Sequence, residues 1–451
     1  MNIIIVGCGK VGASLVERLS AEGHDLVVVD ISAKKVEELT NKYDIMGIVG
    51  NGASFAIQQE AGVEKADLFI AVTTADELNL LCCLMAKKSG CDTIARVRNP
   101  MYSQEIGFIR EQLGISMIIN PELTAAREIS KLLKFPSAIK IDTFAKGRVE
   151  LLRFRLKPEI GFGGKSIMEI MSKLKCDVLI CAVERDNEVI IPNGSFVLDD
   201  SDILSIVGSL ESTAEFFEKI GVRSKKVRNS LIIGGGTVAH YLAKDLLKVG
   251  FRVRIIERDP KRCDYLTEVL PGADIINGDG SDEGLLLEEG LTYADSVVSL
   301  TGLDEENIFL SMFAKKHSNA KLVAKVNKIA FNDVVESLDI DSVIYPKYLT
   351  ADYILQYVRA RQNSIGSNVE TLYQLFDGRA EALEFSVNET SDVTNIPLMS
   401  LNLKPNLLIC AINRKGQILT PRGQNMIKVD DTVIVVTTNR GLNDIRDILN
   451  K

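Results

Sequence analysis

The sequence has no tryptophan, and its phenylalanine and tyrosine residues bring the aromatic content to only 6% of 451 residues. Cores must therefore be built mainly from isoleucine, valine and leucine. No run of apolar residues approaches the roughly 18 that are needed to cross a bilayer. The first ten residues also lack the basic segment with which a secretory leader begins. We therefore expect neither a membrane-spanning segment nor a cleaved leader.

An excess of positive charge is missing as well. Acidic side chains number 61 and basic side chains 53, which gives a formal net charge of −8. Nucleic-acid binding requires concentrated positive charge, and the densest basic stretch is the short sequence RSKKVR at 223–228. We therefore expect no nucleic-acid partner.

Catalytic and metal-binding motifs are scarce. The eight cysteines never form a C-x-x-C pair and lie mostly in apolar stretches, as is typical of buried thiols in a reducing compartment. The three histidines are His24, His240 and His317, and no nucleophile elbow or Walker lysine motif accompanies them. We expect His240 to be a packing or surface residue. These features predict a cytoplasmic protein without a metal site.

The chain repeats itself along its length. The opening segment IIIVGCGKVG at 3–12 returns as LIIGGGTVA at 231–239. Farther on, DVLICAVERDNEVIIPNG at 177–194 matches NLLICAINRKGQILTPRG at 406–423. The offset stays between 227 and 229 residues, which is too long for a stacked repeat array. It indicates one unit of about half the chain, duplicated in tandem.

Each half divides into a larger and a smaller part. The predicted boundaries are 1–137 and 138–225 in the first half, and 226–363 and 364–451 in the second half. The charged stretch at 223–228 lacks periodicity and is the predicted linker between the halves.

The larger parts alternate short β-branched runs with amphipathic helical stretches. In the first half the candidate strands lie at 3–6, 26–29, 47–49, 68–72, 93–97 and 117–119. Strands that alternate with helices predict βαβ crossovers and a mostly parallel, doubly wound Rossmann-like sheet. Their apolar runs are continuous, as expected for strands that are covered on both faces.

The smaller parts are predicted to be small α+β lobes. In the first half the candidate strands are 151–156, 178–183, 188–191 and 203–207, with a helical stretch at 166–174. The fold class is therefore α/β, with two tandem units that each combine a Rossmann-like lobe with a small α+β lobe.

The first candidate site is a G-x-G-x-x-G loop that consists of Gly7, Cys8, Gly9, Lys10, Val11 and Gly12. The first glycine of this motif makes a tight turn, the second lets the backbone approach a pyrophosphate, and the third lets the helix pack on the strand. The helix N-terminus adds N–H donors and a positive dipole. Asp30 ends the second strand, where a carboxylate accepts hydrogen bonds from ribose hydroxyls. The alternative is a Rossmann-like fold with an empty site.

The second half has the same loop with one change. It consists of Gly234, Gly235, Gly236, Thr237 and Val238, followed by Ala239, which the motif tolerates. Glu257 takes the place of Asp30, and its extra methylene alters its reach. Arg258, beside it, is either a phosphate ligand or a solvated side chain. The second loop is therefore either a second nucleotide site or a vestige of one.

The two acids also bear on the choice of ligand. A carboxylate at the adenosine ribose accepts two hydroxyl protons and repels a 2′-phosphate, which favours NAD(H) or an adenine nucleotide over NADP(H). NAD(H) and ATP or ADP all present adenosine and phosphates to such a loop. The motif therefore admits a dinucleotide and a mononucleotide alike.

Further polar residues follow the other strands, at the edge where a doubly wound sheet binds its ligand. They are Asn51 and Asp279 after the third strand, Thr73, Thr74 and Thr301 after the fourth, and Arg96, Arg98 and Lys325 on the fifth. We expect Arg96 and Arg98 to share a face of their strand, so that one of them reaches a phosphate. The alternative for each residue is a cap or a solvated strand end.

These motifs together resemble tandem RCK domains, and among them the TrkA family. The resemblance covers essentially the whole chain and rests on GCGKVG at 7–12, Asp30, GNGAS at 50–54, ADLFIAVTTADELN at 66–79 and IARVRNP at 94–100. It implies a cytoplasmic homotetramer, peripheral on the inner face of the membrane beneath an integral Trk-type potassium transporter. It further implies that the protein binds NAD(H) and ATP or ADP and gates ion flow.

The resemblance also assigns residues to the two sites. It implies that Gly7, Cys8, Gly9, Lys10, Val11, Asp30, Thr73, Thr74 and Arg98 hold nucleotide in the first half. The corresponding set in the second half is Gly234, Gly235, Gly236, Thr237, Val238, Glu257 and Asp279. Two positions depart from the family pattern, namely Ala239 at the third glycine and Gly302 opposite Thr74.

The leading hypothesis is a regulatory subunit that is not an enzyme. Two nucleotide loops without a matched pair of catalytic residues favour a switch that is operated by its ligand. An NAD-dependent oxidoreductase that uses both Rossmann lobes is one alternative. A soluble sensor of the NADH/NAD ratio is another.

Overall fold

The structure is a computed structural model of the chain. It describes residues 1–103, 105–135, 138–144, 149–186, 188–221, 227–327, 335, 338, 340–363, 368–376 and 378–450. Most of the predicted linker, residues 223–226, lies outside this set.

The first Rossmann lobe is a six-stranded sheet with helices between its strands. Its strands are β1 (Asn2–Val6), β2 (Asp25–Asp30), β3 (Met46–Val49), β4 (Leu68–Ala71), β5 (Asp92–Arg96) and β6 (Met117–Ile119). Its helices are α1 (Lys10–Ala21), α2 (Ala33–Thr40), α3 (Phe55–Glu60), α4 (Asp76–Lys87), α5 (Pro100–Ser103), α6 (Ile106–Gln112) and α7 (Pro121–Lys134). All neighbouring strands are parallel, in the order β3-β2-β1-β4-β5-β6. The order reverses between β1 and β4, which is where a doubly wound sheet binds its ligand.

The first small lobe is an antiparallel sheet with two helices. Its strands are β7 (Lys140–Phe144), β8 (Val149–Arg155), β9 (Val178–Arg185), β10 (Glu188–Ile190) and β11 (Ile203–Gly208), in the order β10-β9-β11-β8-β7. Its helices are α8 (Ile167–Leu174) and α9 (Leu210–Lys219). Ser166 caps α8 in a capping box with Glu169, which sets where this helix begins.

The second Rossmann lobe repeats the topology of the first. Its parallel strands are β12 (Asn229–Ile233), β13 (Arg252–Glu257), β14 (Ala273–Asn277), β15 (Ser296–Ser299), β16 (Lys321–Lys325) and β17 (Ser342–Ile344), in the order β14-β13-β12-β15-β16-β17. Its helices are α10 (Thr237–Lys248), α11 (Pro260–Val269), α12 (Glu283–Glu288), α13 (Asp304–His317) and α14 (Pro346–Asn363).

The second small lobe repeats the sheet of the first with less helix. Its antiparallel strands are β18 (Val369–Leu375), β19 (Ala380–Ser386), β20 (Leu407–Arg414), β21 (Gln417–Leu419) and β22 (Asp431–Thr437), in the order β18-β19-β22-β20-β21. Short 3₁₀ turns at Leu398–Ser400 and Ile445–Ile448 follow β19 and β22, where the first small lobe has α8 and α9.

The chain divides into two compact units that do not coincide with its two halves. One unit is Met1–Ser130 with Val227–Leu355, and the other is Lys131–Lys226 with Gln356–Lys451. The Rossmann lobes therefore share one unit and the small lobes the other. Because the unit limits fall inside α7 and α14, the four boundaries that the sequence predicts remain predictions.

The predicted fold class is confirmed. Each candidate strand of the first half is present, with ends within two residues of the predicted ones. Strand β7 and helix α9 have no counterpart among the elements that the sequence predicts. All eight cysteines are buried, as expected.

Within the described ranges, no helix is both long enough and apolar enough to cross a membrane.

Candidate nucleotide-binding sites

The glycine loop of the first half turns directly out of β1 into α1. Gly7 has a φ of +106°, and a Cβ atom there would lie 2.9 Å from the backbone nitrogen of Thr73. A Cβ atom at Gly12 would lie 1.9 Å from the carbonyl oxygen of Gly7. Gly7 therefore needs to be glycine for its backbone conformation, and Gly12, the third glycine of the motif, needs to be glycine so that the helix can approach closely. Gly234 repeats the first feature with a φ of +97°, whereas Ala239 is accommodated as a fully buried residue.

The middle glycine of each loop faces open space. A Cβ atom at Gly9 or Gly236 would meet no described atom within 4 Å. The residues that follow these glycines differ in exposure, since Lys10 is exposed and Thr237 is half-buried. The next residues, Val11 and Val238, are both buried in the core. The loop backbone is therefore open to a ligand in both halves.

Helices α1 and α10 begin at these loops with no side-chain cap. Gly9 and Gly236 are the N-cap residues, no described side chain bonds to either N-terminus, and neither first turn holds an acidic residue. In contrast, the first turns of α4 and α13 contain two and three acids. Unpaired N–H groups and the positive end of the helix dipole are thus available at both loops, an arrangement that suits phosphate.

Asp30 lies against the first loop. One carboxylate oxygen accepts a hydrogen bond from the backbone N–H of Cys8 at 2.7 Å, and the other accepts from the N–H of Ser32 at 2.9 Å. A carboxylate can accept about four hydrogen bonds. Asp30 is half-buried, so its remaining acceptor positions are accessible to ribose hydroxyls.

Glu257 makes the corresponding two contacts in the second half. Its carboxylate accepts from the N–H of Gly235 at 2.7 Å and from the N–H of Asp259 at 2.9 Å. The extra methylene therefore does not change which backbone groups the acid holds. Arg262 adds a further contact, because its Nε donates to the carbonyl oxygen of Gly235 at 2.7 Å.

The thiol and the imidazole nearest to the loops are both neutral near pH 7. Burial and the neighbouring Asp30 carboxylate raise the pKa of the Cys8 thiol to about 12. Burial, followed by the positive charges of Arg262 and Lys244, lowers the pKa of His240 to about 4. His240 is buried against neighbouring aromatic rings, so of the two expected roles, packing or surface, it has the packing role. Neither group has the pKa of a general acid or base at neutral pH.

Asn79 fixes the turn after the fourth strand of the first half. Its Oδ1 accepts from the N–H of Thr73 at 2.8 Å and from the Thr73 hydroxyl at 2.7 Å. Its Nδ2 donates to the carbonyl oxygen of Arg96 at 2.9 Å. Asn79 thereby ties the end of β4 to the end of β5.

Asn307 does the same in the second half. Its Oδ1 accepts from the N–H of Thr301 at 2.8 Å, and its Nδ2 donates to the carbonyl oxygen of Lys325 at 2.9 Å. Lys325 therefore occupies the position of Arg96. Its ammonium group donates to the carbonyl oxygen of Leu300 at 3.0 Å, and burial lowers its pKa.

Arg96 and Arg98 reach the same corner of the first site by different routes. Strand β5 ends at Arg96, so Arg98 lies beyond the strand and the two do not share a strand face as the sequence predicts. Arg96 donates to the carbonyl oxygen of Thr73 and pairs with Glu122, both at 3.3 Å. Arg98 donates to the carbonyl oxygen of Thr74 at 3.0 Å and is exposed. Arg98 is therefore the more accessible cation.

Asn51 and Asp279 cap the turns after the third strands. Asn51 accepts from the N–H of Ala53 at 3.0 Å, and Asp279 accepts from the N–H of Ser281 at 2.9 Å and from its hydroxyl at 2.8 Å. The Ser281 hydrogen bonds lower the pKa of Asp279. Both residues are exposed, so each combines a local cap with a carbonyl or carboxylate oxygen that faces solvent.

A cleft of about 460 Å³ lies beside Thr74 and Arg98. Its lining also includes Asp76, Glu77 and, from the second half, Thr237, the first residue of α10. The Asp76 carboxylate accepts from the N–H of Arg98 at 3.0 Å. The first site and the second glycine loop therefore border one cleft.

Sequence patterns did not single out several residues that build these sites. Asn79 and Asn307 are the last residues of the matched segments ADELN and DEEN. Their recurrence at the same position of the repeat is the sequence signal that could have identified them. Glu122 and Arg262 stand in no repeated motif. Among the described residues, no group of three or more histidine, cysteine, aspartate and glutamate side chains is placed to hold a metal ion.

The fold and these sites define a duplicated protein with two Rossmann lobes, each carrying a glycine loop with an acid held on its backbone, and two small antiparallel lobes. The model of the TrkA-N domain matches residues 3–121 and 230–346, and that of the TrkA-C domain matches residues 151–221 and 382–450. The chain therefore belongs to the TrkA family, which confirms the resemblance seen in its motifs.

Known proteins agree with this assignment over nearly the whole chain. The chain is 33% identical over 447 residues to the Trk system potassium uptake protein TrkA homolog 1 of Methanosarcina mazei. The matched region covers 96% of this chain and 97% of that protein. The GsuK RCK domain has a TM-score of 0.64 at 18% identity and covers 97% of this chain and 92% of that chain. The GsuK channel bound to NAD also has a TM-score of 0.64 at 18% identity, with 97% and 77% covered. These two structures share the fold.

Proposed function

We propose that this protein is a regulatory subunit of a potassium-uptake system that binds NAD(H), ATP or ADP at its glycine loops and gates a membrane potassium transporter. The observation that carries the proposal is the arrangement found in both halves. In each, an uncapped helix N-terminus meets a carboxylate that is held on the loop backbone. The chain matches a TrkA potassium uptake protein from end to end, and a channel of the same fold has been solved with NAD bound.

The residues present fit an adenosine phosphate. Open space over Gly9 and Gly236 leaves room for phosphate oxygens at the helix N-termini. Asp30 and Glu257 retain acceptor capacity for ribose hydroxyls, and Arg98 is an exposed cation at the far side of the first site. The bound nucleotide would then act by favouring one arrangement of the lobes over another, in proportion to its differential affinity for the two.

In this proposal the nucleotide is bound and not consumed. The support is chemical, because Cys8 and His240 are both neutral near pH 7 and neither is poised for proton transfer. Incubation of the protein with NADH and small carbonyl compounds is the relevant measurement. Steady loss of NADH would favour the oxidoreductase instead.

We place the protein in the cytoplasm, peripheral on the inner face of the membrane, with an integral Trk-type potassium transporter as its partner. The support is the name and end-to-end match of its relative. Co-purification with an integral protein from detergent-solubilised membranes is the expected result. Recovery from the soluble fraction alone would favour a soluble NADH/NAD sensor.

We also propose a homotetramer, in which copies of the chain meet through helices α4 and α13. These helices expose Leu81 and Phe309 at corresponding positions, 48% and 69% accessible respectively. Met312, one turn after Phe309, is 39% exposed. An apolar face that recurs in both halves suits contacts between copies of the same chain, since a symmetric assembly presents repeated surfaces to one another.

The test of the function is nucleotide binding by loop variants. In Gly9→Glu and Gly236→Glu, the new carboxylate enters the open space above the loop and repels phosphate. We expect each single variant to lose one of two binding sites for NADH or ADP, and the double variant to bind at least about 100-fold more weakly, because several charge-assisted hydrogen bonds are lost. Isothermal titration calorimetry on the full chain measures this.

Gly107→Glu is the matched control. A Cβ atom at Gly107, in α6, also meets no described atom within 4 Å, so this variant adds the same charge away from the loops and should bind normally. Potassium flux in vesicles that contain a Trk-type membrane subunit should respond to nucleotide with the wild-type protein and not with the double variant. Undiminished nucleotide binding by a folded double variant would refute the site.

A further inference from the structure

Tyr241 links the second glycine loop to the first site. It lies in the second turn of α10, the helix whose N-cap is Gly236, and is 4% exposed. Its hydroxyl donates to the carbonyl oxygen of Arg98 at 3.0 Å and accepts from the Nδ2 of Asn120 at 3.0 Å. Asn120 also donates to the same Arg98 carbonyl at 3.3 Å. A residue of the second half thus holds the backbone of the accessible arginine of the first site.

The far end of this link is the nucleotide corner of the first half. The Arg98 guanidinium donates to the carbonyl oxygen of Thr74, and the backbone N–H of Arg98 donates to the Asp76 carboxylate. Thr237, the first residue of α10, lines the same cleft. The hydroxyl of Tyr241 therefore forms the hydrogen-bonded connection between α10 and the backbone of Arg98.

The first half has a different residue at the corresponding position. Ser14 occupies in α1 the place that Tyr241 occupies in α10, since both follow the first glycine of their loop by seven residues. Ser14 is 3% exposed, and its hydroxyl has no hydrogen-bond partner within the part of the chain that the structure describes. The link at Tyr241 is therefore not duplicated with the loops, and a single substitution removes it.

We propose that Tyr241 couples the two nucleotide sites, so that a ligand on the second glycine loop changes the affinity of the first site. This proposal rests on the proposed function, because it requires both loops to bind nucleotide. Phosphate at the N-terminus of α10 favours one position of that helix, and Tyr241 transmits the position to Arg98. Coupling between sites is reciprocal and typically changes affinity about 5- to 150-fold. Tyr241 is in this sense a positioning residue and need not touch either ligand.

The absence of tryptophan allows the first site to be observed alone. Phe55 begins α3, directly after the loop that contains Asn51, and is 51% exposed, so Phe55→Trp introduces a single tryptophan beside the first site, whose emission can be excited apart from that of the tyrosines. In this background ADP is titrated into the full chain with an intact second loop and into the Gly236→Glu variant. We expect the two dissociation constants of the first site to differ at least about fivefold.

Tyr241→Phe tests the link itself, because it removes only the hydroxyl. We expect the ratio of the two dissociation constants to fall to within about twofold of one, while the thermal unfolding midpoint shows that the variant is folded. Tyr293→Phe, at a tyrosine of the same lobe that is 85% exposed, should leave the ratio unchanged. The inference is overturned if the ratio survives in Tyr241→Phe, or if both sites bind ADP in the wild-type chain with no coupling. Failure of either loop to bind any nucleotide overturns the proposed function instead, and the inference with it.

Discussion

Asp30 and Glu257 differ by one methylene, yet each accepts from the N–H of the second loop residue and from the N–H two positions after itself. The backbone bonds hold each carboxylate in place before a ligand arrives, which reduces the ordering that binding requires. Differences between the two sites must therefore come from their surroundings. Arg262, which donates to the backbone of the second loop from α11, and Arg98, beside the first site, are two such differences.

The residue-scale prediction concerns the charge of Asp30. In Asp30→Asn the amide can accept at one oxygen only, so the loop and the ribose lose charge-assisted hydrogen bonds worth about 1.5–3 kcal/mol. We expect NADH to bind the first site about 10- to 100-fold more weakly. The preference for NADH over NADPH should also narrow, because the charge that repels a 2′-phosphate is gone. Calorimetry with both dinucleotides in a Gly236→Glu background isolates the first site.

Glu257→Gln in a chain with an intact first loop serves as the comparison. This variant changes the second site and keeps Asp30. The first site should therefore bind NADH with the affinity that it has when the second site is empty. If Asp30→Asn leaves the ratio of NADH to NADPH affinity unchanged, Asp30 does not face the adenosine ribose.

Each small lobe carries the same buried ion pair. Arg185 holds both oxygens of Asp202, with Nε and Nη2 at 2.7 and 2.8 Å, and Arg414 holds Asp431 in the same way at 2.8 and 2.7 Å. The two aspartates are almost fully buried. The first pair fixes the end of β9 to Asp202, just before β11, and the second fixes the end of β20 to Asp431, the first residue of β22. Such bidentate geometry makes the pair a structural element of the lobe.

At the scale of elements we predict that Asp202→Asn destabilises the unit of small lobes. Removal of one partner leaves a charge without its buried counterion, and we expect a loss of about 3 kcal/mol, the lower end of the usual range because Arg185 keeps contact with solvent. Differential scanning calorimetry should show a lower unfolding midpoint. Nucleotide affinity at the glycine loops should change little.

Glu38→Gln is the matched control for that experiment. Glu38 pairs with Lys34 on an exposed helix face, where side-chain accessibilities are 63% and 85%. An exposed pair of this kind contributes at most about 0.5 kcal/mol. Equal effects of Asp202→Asn and Glu38→Gln would show that the buried pair is not a stabilising element.

At the scale of the whole molecule, the corresponding lobes of the two halves pack together. One cluster of buried apolar side chains combines both small lobes, and it includes Val149 and Cys181 from the first and Ala382 and Cys410 from the second. The halves of the sequence are therefore not the units of packing. An isolated half would expose this shared surface to water, so nucleotide binding should be measured on the full chain.

The whole-molecule prediction concerns assembly. Leu81→Glu combined with Phe309→Glu places charge on the apolar faces of α4 and α13, and burying those charges in an interface is unfavourable. We expect the mass in solution, measured by light scattering after size exclusion, to fall from that of a tetramer to that of a smaller species. Val249→Glu, at a residue that is 53% exposed at the end of α10, should not change the mass. A tetramer that persists in the double variant would exclude these faces as the interface.

Much of the fold and of the site was predictable because its signals are local. The turn at Gly7 is set by its own backbone conformation and its immediate neighbours, and Asp30 ends the strand next to the loop. Arg98 was harder, because the end of β5 depends on where pairing with β6 stops. The hydrogen bonds of Asn79 and the pairing of Arg96 with Glu122 have no local pattern, since they join different elements.

The order of residues along the chain was sufficient to establish the duplication, the doubly wound Rossmann lobes and the two glycine loops with their acids. These features follow from periodicity and from backbone geometry over a few neighbouring residues. Only the tertiary structure decided that corresponding lobes pack together and that Tyr241 meets Arg98, 143 positions away. The physical reason is that such contacts depend on which surfaces are buried together, and no short segment of sequence carries that information.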